Sequence, residues 1–166
     1  MRPLILLALA FVASPAAQSA DLDASGLDRK VDAKACSDRL FEWTKSQGLN
    51  PEMRVDDRTV FLPEPMVMLA PVFRKQGIDS IVVYVTLQGN PGNVMSAELA
   101  QLVNQLNRDQ VAAQVSVASS GGICFVMYIH FDDKLDAALF RKFIAHCREV
   151  VMFLIEENPR LKAYIR

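Results

Sequence analysis

The sequence predicts an α+β domain in which an antiparallel sheet is covered by helices. Its segments follow the order helix, three strands, helix, two strands, helix. Strands that come in groups favour antiparallel pairing, whereas a parallel sheet alternates single strands with helices. The chain has 166 residues and is 51% hydrophobic, which is enough for one proper core and excludes disorder across its body. We therefore expect a single domain over residues 32–166.

The first helix is predicted to begin after Asp32. Cys36, Leu40 and Trp43 recur at spacings of four and three, as residues on one face of a helix do. The Asp32 side chain can accept hydrogen bonds from the first turn, and Gly48 can end the helix in a left-handed conformation. Because Trp43 stands in the apolar row, we interpret it as a core anchor and not as a ligand platform.

Strand signals follow this helix. Residues 53–55 and 60–62 flank an Asp-Asp-Arg turn and indicate a short hairpin. Residues 66–74 can run extended, but Pro71 has no amide hydrogen and must then lie on an edge or at a bulge. Residues 78–87 are rich in β-branched side chains and give the strongest strand signal in the chain.

The second helix is predicted after a loop at residues 89–93, which read Gly-Asn-Pro-Gly-Asn. Ser96 is a good N-cap, and Glu98 in the first turn suits the helix dipole. Apolar residues then form one stripe over three turns: Leu99, Leu102, Val103 and Leu106.

A hairpin and a long helix complete the domain. Residues 114–118 and 123–131 are predicted strands, and in the second one the odd-numbered residues share a face. The other face carries Cys124, Val126, Tyr128 and His130. Residues 137–157 predict a helix that Asp136 caps and that stops before Pro159. Its apolar residues cover more than the stripe needed to lie on a sheet, so we expect a second contact surface, most simply another subunit.

The N-terminus predicts export. Arg2 supplies a basic start, residues 4–12 are an unbroken apolar run, and small residues follow, as in a cleaved signal peptide over residues 1–20. The apolar run is too short to span a bilayer, although a retained N-terminal anchor remains the alternative. Cleavage after Ser19 or Ala20 would release the domain into the bacterial periplasm or the medium. A polar, mobile lead-in at residues 21–31 would then precede it, with no transmembrane segment.

The charge balance excludes two classes of partner. Without Arg2 the chain has 17 basic and 19 acidic side chains, a formal charge near −2. It therefore has no basic field to gather nucleic acid and no polybasic patch for an anionic membrane.

Residues 32–157 resemble the YbjN-like family of bacterial sensory-transduction regulators. The resemblance rests on Ser96-Ala97-Glu98-Leu99, on Leu102-Val103-Asn104-Gln105-Leu106-Asn107, on the hairpin from Val115 to Phe131, and on the final helix with Phe143, Val151 and Phe153. The family's helix–strand order is similar to that of type III secretion chaperones, small dimers that hold partner proteins without chemistry. The resemblance implies an α+β homodimer with an unidentified protein partner. The predicted signal peptide does not fit this resemblance, because it would take the chain out of the cytoplasm.

No catalytic residue, cofactor or metal site is predicted. His146 and Cys147 are neighbours on a helix, so their side chains point about 100° apart and cannot form a nucleophile–base pair. His130, Asp132 and Asp133 could ligate a metal, but the two acids suit a turn before the last helix equally well.

Two of the three cysteines could pair in an oxidising compartment. Cys36 and Cys147 both lie on apolar helix faces, and in the chaperone-like arrangement that the resemblance implies, both helices would cover the same side of the sheet, so we hypothesise a disulfide between them. The alternative is that all three thiols are buried and free.

The predicted interaction surface lies on the last two long helices. Its residues are Leu99, Leu102, Asn104, Leu106, Asn107, Phe143, Val150 and Phe153. The two asparagines could instead cap the end of their helix. The favoured hypothesis is an exported, non-enzymatic, chaperone-like domain that binds protein as a dimer. The alternative is a small-molecule or lipid module, whose cleft between the sheet and the last helix is lined by Phe125, Met127, Phe143 and Phe153.

Overall fold

The computed structural model describes residues 20–53, 58–63, 66–109 and 112–166. These residues form a mixed domain of helices and antiparallel strands, so the predicted α+β class is confirmed. The helices are α1 (Ala33–Ser46), α2 (Ala97–Asp109), α3 (Ala137–Glu157) and α4 (Pro159–Lys162). The strands are β1 (Leu22–Asp23), β2 (Glu52–Met53), β3 (Val60–Leu62), β4 (Val67–Val72), β5 (Asp79–Leu87), β6 (Gln114–Val117), β7 (Ile123–Phe131) and β8 (Lys134–Leu135).

Two sequence predictions fall outside this description. The predicted signal peptide, apart from Ala20, lies outside the described residues. So do Asp56 and Asp57, the first two residues of the predicted turn between β2 and β3. The pairing of Met53 with Val60 nevertheless confirms the hairpin itself.

The main sheet has six antiparallel strands in the order β2-β3-β4-β5-β7-β6. Its longest ladder joins β5 to β7 and runs from Asp79 opposite Phe131 to Leu87 opposite Ile123. Strands β1 and β8 pair separately. Four strands of the main sheet precede α2, so the predicted count of three is wrong. Residues 66–74, which the sequence allows to run extended, include β4, which pairs on both sides.

Pro71 lies on an uncovered stretch of β4, as its missing amide hydrogen requires. Strand β3 pairs with β4 only as far as Leu69, so its ladder ends before Pro71. The Pro71 carbonyl accepts a hydrogen bond from the Arg29 guanidinium, on the side away from β5. The nitrogen and carbonyl of one strand residue point to the same side, so no ladder bond to β5 is lost there.

The three long helices begin at the caps that the sequence predicts. The Asp32 carboxylate accepts from the Ala35 amide at 2.8 Å, and the Asp136 carboxylate accepts from the Leu139 amide at 2.6 Å. The Ser96 hydroxyl accepts from the Leu99 amide at 3.1 Å. Each cap satisfies an amide that has no partner within the helix, which explains why the helices start at these residues.

The helices pack on one face of the sheet, which we call the inner face. Helix α1 contacts β3 and β4, whereas α3 contacts β5 and β7. The Trp43 ring of α1 meets the Phe140 ring of α3 edge-on, with centroids 4.8 Å apart. Trp43 is 6% exposed, so its predicted role as a core anchor is confirmed. The odd-numbered residues of β7 are buried in the same core.

Three short segments have more structure than their sequences predict. The lead-in contains β1, and its Leu22 and Ala24 are buried. The predicted loop contains a 3₁₀ helix at Pro91–Met95. After the break at Asn158, α4 starts at Pro159, where the missing amide hydrogen has no effect because first-turn amides need no helical partner.

Within the described ranges, none of the helices combines the length and the apolar character that crossing a bilayer requires.

Candidate functional site: an uncovered sheet face and a cleft beside the last helix

The second face of the main sheet has a defined set of residues, which we call the outer sheet face. Side chains alternate between faces along a strand, and directly paired residues share a face. Starting from Tyr128, the registers of the five ladders therefore assign the whole set. The outer sheet face comprises Glu52, Phe61, Met68, Ala70, Val72, Ser80, Val82, Tyr84, Thr86, Gln114, Ser116, Cys124, Val126, Tyr128 and His130.

This face is separate from the hydrophobic core of the domain. Ala70 is 3% exposed and Val82 6% exposed, yet neither belongs to the core cluster that the helices cover. Met68 and Tyr84, the next pair on the same face, are only half-buried. Tyr128 is 44% exposed. The described part of the chain thus has a second apolar surface that its own core does not use.

The outer sheet face contains very little charge. It has no lysine or arginine, and Glu52 in the short strand β2 is its only carboxylate, although 22% of the chain is charged. Antiparallel sheets with one face in water usually carry polar side chains there. Here eight of the fifteen positions are instead valine, alanine, methionine, phenylalanine or tyrosine, residues typical of a sheet that packs against another surface.

His130 forms a polar contact at the margin of this face. Its Nδ1 lies 2.7 Å from the Ser80 hydroxyl, and its ring stacks on Tyr128 with centroids 6.0 Å apart. In the described ranges no group of three His, Cys, Asp or Glu residues is placed to hold a metal ion. Ser80 is 7% exposed, so its hydroxyl is poorly placed to attack a substrate. The pair is best explained as a structural hydrogen bond.

Asn107 covers part of the free edge of the sheet. Its side-chain amide donates to the Val115 carbonyl at 2.8 Å and accepts from the Val115 amide at 2.6 Å. The side chain thus occupies backbone groups of β6 that point away from β7, much as a further strand would. Of the roles considered for the two asparagines, Asn107 binds a neighbouring strand, whereas Asn104 is exposed.

Four of the eight residues of the predicted interaction surface are buried inside the domain, and that part of the prediction is wrong. Exposed fractions are 8% or less for Leu99, Leu102, Leu106 and Val150. Helix α2 needs its apolar stripe to cover the sheet beside β6, so no partner can reach it. Phe143 is half-buried against the core. Phe153, which is 55% exposed, remains available, together with Leu139 and Met152 on the same helix.

A cleft does lie between the sheet and α3, but its lining differs from the predicted one. It measures about 800 Å³ and opens between the ends of β4 and β5 and the C-terminal half of α3. Its walls include Val67, Val85, Val151 and Met152. Phe125 and Met127 are 0% and 3% exposed in the core, because the helices already cover the inner face above them.

A second, smaller cleft adjoins the first along α3. It measures about 370 Å³ and lies between Leu49 and the N-terminal half of α3, where Phe140 and Ile144 form its floor. Arg148 lines both clefts. Arg148 therefore stands where two mainly apolar depressions meet, and Arg141 and Glu149 also line the smaller one.

The three cysteines are free thiols in the structure. Burial raises the pKa of the Cys147 thiol to about 12. Burial, followed by the nearby Asp32 carboxylate, raises the pKa of the Cys36 thiol. Cys124 is half-buried on the outer sheet face. The Cys36–Cys147 disulfide stays a hypothesis, to be tested by intact mass with and without reductant after alkylation.

The neighbouring His146 and Cys147 point apart, as the helical geometry predicts. Cys147 is 0% exposed, whereas His146 is exposed and its Nδ1 lies 3.8 Å from the Glu149 carboxylate. A buried thiol with a raised pKa is mainly protonated and is therefore a poor nucleophile.

Comparison with protein-family models, with curated protein sequences and with solved structures gives no match for this chain. The YbjN-like resemblance therefore stays a prediction.

Proposed function

We propose that this chain is an exported, non-enzymatic, protein-binding domain that acts as a homodimer, with two copies joined through their outer sheet faces. The observation that carries the dimer is the nearly uncharged, apolar outer sheet face. Export rests on the predicted signal peptide. The protein-binding, chaperone-like role rests on the resemblance to the YbjN-like family.

A second copy of this chain suits the outer sheet face on electrostatic grounds. In a two-fold dimer the same patch meets itself, so charges of one sign near its centre would repel. The centre of this face is formed by Val82, Tyr84, Val126 and Tyr128, none of which is charged at neutral pH. The one carboxylate, Glu52, lies in the short strand β2 at the margin.

The size of the face also fits a dimer. Neighbouring strands lie about 4.8 Å apart and same-face residues about 6.7 Å apart, so the outer sheet face spans roughly 500 Å² in projection. Its side chains add further accessible area, and a standard interface buries about 800 Å² per partner. Two such faces can stack at the usual spacing of about 10 Å between sheets.

In such a dimer the helices lie on the outside, away from the contact between the two copies. The exposed Leu139 and Phe153 of α3 lie on the other side of the sheet and stay available to a protein partner. The surplus apolar width of α3 thus serves a partner protein, while the outer sheet face joins the two copies.

The test is the molar mass of the purified protein by light scattering after size exclusion, at several concentrations. We expect a dimer for the unchanged protein and a monomer for Tyr128→Lys, which places a charge on each of the two apposed faces. Tyr128 is exposed enough for this change to leave the monomer folded, as circular dichroism would verify.

Met95→Lys is the matched control. Met95 is 88% exposed on the 3₁₀ helix, outside the outer sheet face, so the variant should stay dimeric. An unchanged protein that is monomeric at about 100 μM, a concentration at which micromolar affinity gives dimers, would overturn the proposal. So would a dimeric Tyr128→Lys variant.

A further inference from the structure

We infer that the two adjoining clefts along α3 bind a single-chain anionic amphiphile of the fatty-acid type, whose carboxylate pairs with Arg148. These clefts lie on the helical side of the sheet, so the inference goes beyond the proposed function and does not depend on the dimer.

The larger cleft has the walls of an acyl-chain site. Its volume of about 800 Å³ falls within the range of small-molecule sites. Val67, Val85 and Val151 form apolar walls, and Met66 and Met152 stand at the rim with 67% and 49% exposure. Methionine side chains are flexible and polarisable, which lets them adapt to chains of different shape.

Arg148 supplies the charge that an anionic head group requires. Among the residues that the structure describes, it is the only ionisable one that lines the larger cleft. Within the described parts of the chain it forms no ion pair and no hydrogen bond. By contrast, Arg141 on the same helix donates to the Gln47 side chain at 3.2 Å. The Arg148 guanidinium is thus free to take a carboxylate in the bidentate geometry that it favours.

An acyl chain fits this lining better than a peptide does. Among the described residues that line the larger cleft, only Arg148 and Thr86 have polar side chains, and the strand register places the Thr86 side chain on the outer sheet face. A bound peptide segment would bring backbone amides and carbonyls into a groove with few partners for them, and unpaired polar groups are costly to desolvate. A hydrocarbon chain has no such groups.

The clefts also provide length. From Phe140 in the smaller cleft to Met152 in the larger one, α3 advances by about 18 Å at the usual rise per residue. Because Arg148 lines both clefts, a chain whose carboxylate pairs with it can follow α3 towards Met152 in the larger cleft or towards Phe140 in the smaller one.

The binding test is a calorimetric titration of the purified protein with decanoate, laurate and myristate, each kept below its critical micelle concentration. Trp43 is the only tryptophan in the chain and its ring contacts Phe140, so its fluorescence is a second reporter. We expect one site per chain. Complete burial of a methylene group strengthens binding about fourfold. In a half-open cleft, each added methylene should therefore increase the affinity about twofold.

Protein variants isolate the role of Arg148 in binding the carboxylate head group. Arg148→Gln should weaken laurate binding about tenfold or more, as loss of a charge-assisted hydrogen bond does. Lys142→Gln is the matched control, because it removes a cation of α3 that lines neither cleft. Met152→Glu, which places an anion in the larger cleft, should weaken binding without touching Arg148. Dodecyltrimethylammonium should bind much less tightly than laurate does.

Equal binding of laurate and the cationic amphiphile would overturn the inference, because it would indicate non-specific adsorption. Unchanged binding in both Arg148→Gln and Met152→Glu would also overturn it, as would the absence of binding by the folded, unchanged protein. Laurate should bind the Tyr128→Lys variant as tightly as the unchanged protein, so a failure of the dimer proposal is distinguishable from a failure here.

Discussion

Replacing Asn93 with alanine should destabilise the domain more than any exposed asparagine substitution. Asn93 lies in the 3₁₀ helix and is 5% exposed. Its side-chain amide donates to the Gly121 carbonyl at 2.8 Å and to the Tyr164 carbonyl at 2.9 Å. One side chain therefore ties the segment after β5 to the β6–β7 turn and to the C-terminus.

The magnitude follows from the two carbonyls that lose their donor. An unpaired buried acceptor costs about 1–1.5 kcal/mol at the low end of measured values, so Asn93→Ala should cost about 2–3 kcal/mol. The backbone is closely packed here, since a Cβ at Gly89 would lie only 2.2 Å from the Gly121 carbonyl oxygen. Little room remains for a water to replace the amide. At about 2–4 °C per kcal/mol for a chain of this size, the melting temperature should fall by about 4–12 °C.

The assay is urea and thermal unfolding followed by circular dichroism, with Asn104→Ala as the control because Asn104 is exposed on α2. Asn93→Asp is the sharper variant, since it keeps the shape of the side chain and removes both donors. If Asn93→Ala and Asn104→Ala lose the same stability, the two hydrogen bonds do not hold the junction together and the reasoning is wrong.

The cysteines give two further predictions. Iodoacetamide at pH 8 should label Cys124 in the folded protein, and more slowly at concentrations that favour the dimer. Cys36 and Cys147 should react only after unfolding. Mass spectrometry of the labelled peptides gives the order of reaction, and labelling of Cys36 or Cys147 before Cys124 would contradict the prediction. The pKa of Cys147, raised from 9.0 to about 12, means that the native state keeps a proton that the unfolded state loses between these pH values. The free energy of unfolding should therefore fall as pH rises from 9 to 12, by up to about 1.4 kcal/mol per pH unit from this group. Cys147→Ala should show a flatter dependence in urea titrations across that range, and an equal slope would contradict the assignment.

Local signals in the sequence predicted the starts of the helices well. Asp32, Ser96 and Asp136 cap the helices that they were expected to cap. A cap depends on a side chain and on amides two or three residues away, so it is visible in a short stretch of sequence. The alternation along β7 was predicted for the same reason, since each strand residue faces opposite to its neighbour.

The interaction surface was harder to predict because apolar character does not reveal which surface a residue faces. Leu99 and Leu106 belong to an apolar stripe that the sheet covers, whereas Val82 and Val126 are equally apolar and lie on the outer sheet face. The middle of β5, from Ile81 to Val85, is a continuous apolar run, which assigns neither of its faces to the core. Only the position of the helices in the tertiary structure distinguishes the face that packs in the core from the outer sheet face.

The sequence by itself determined the class of fold, the helix caps and the face on which each residue of β7 lies, because these depend on contacts between near neighbours in the chain. The tertiary structure decided which sheet face the helices leave uncovered, that Asn107 pairs with the backbone of β6, and that Arg148 stands between two clefts. These features join residues that are distant in the chain, and the side chains involved carry no local signal of the partners they meet.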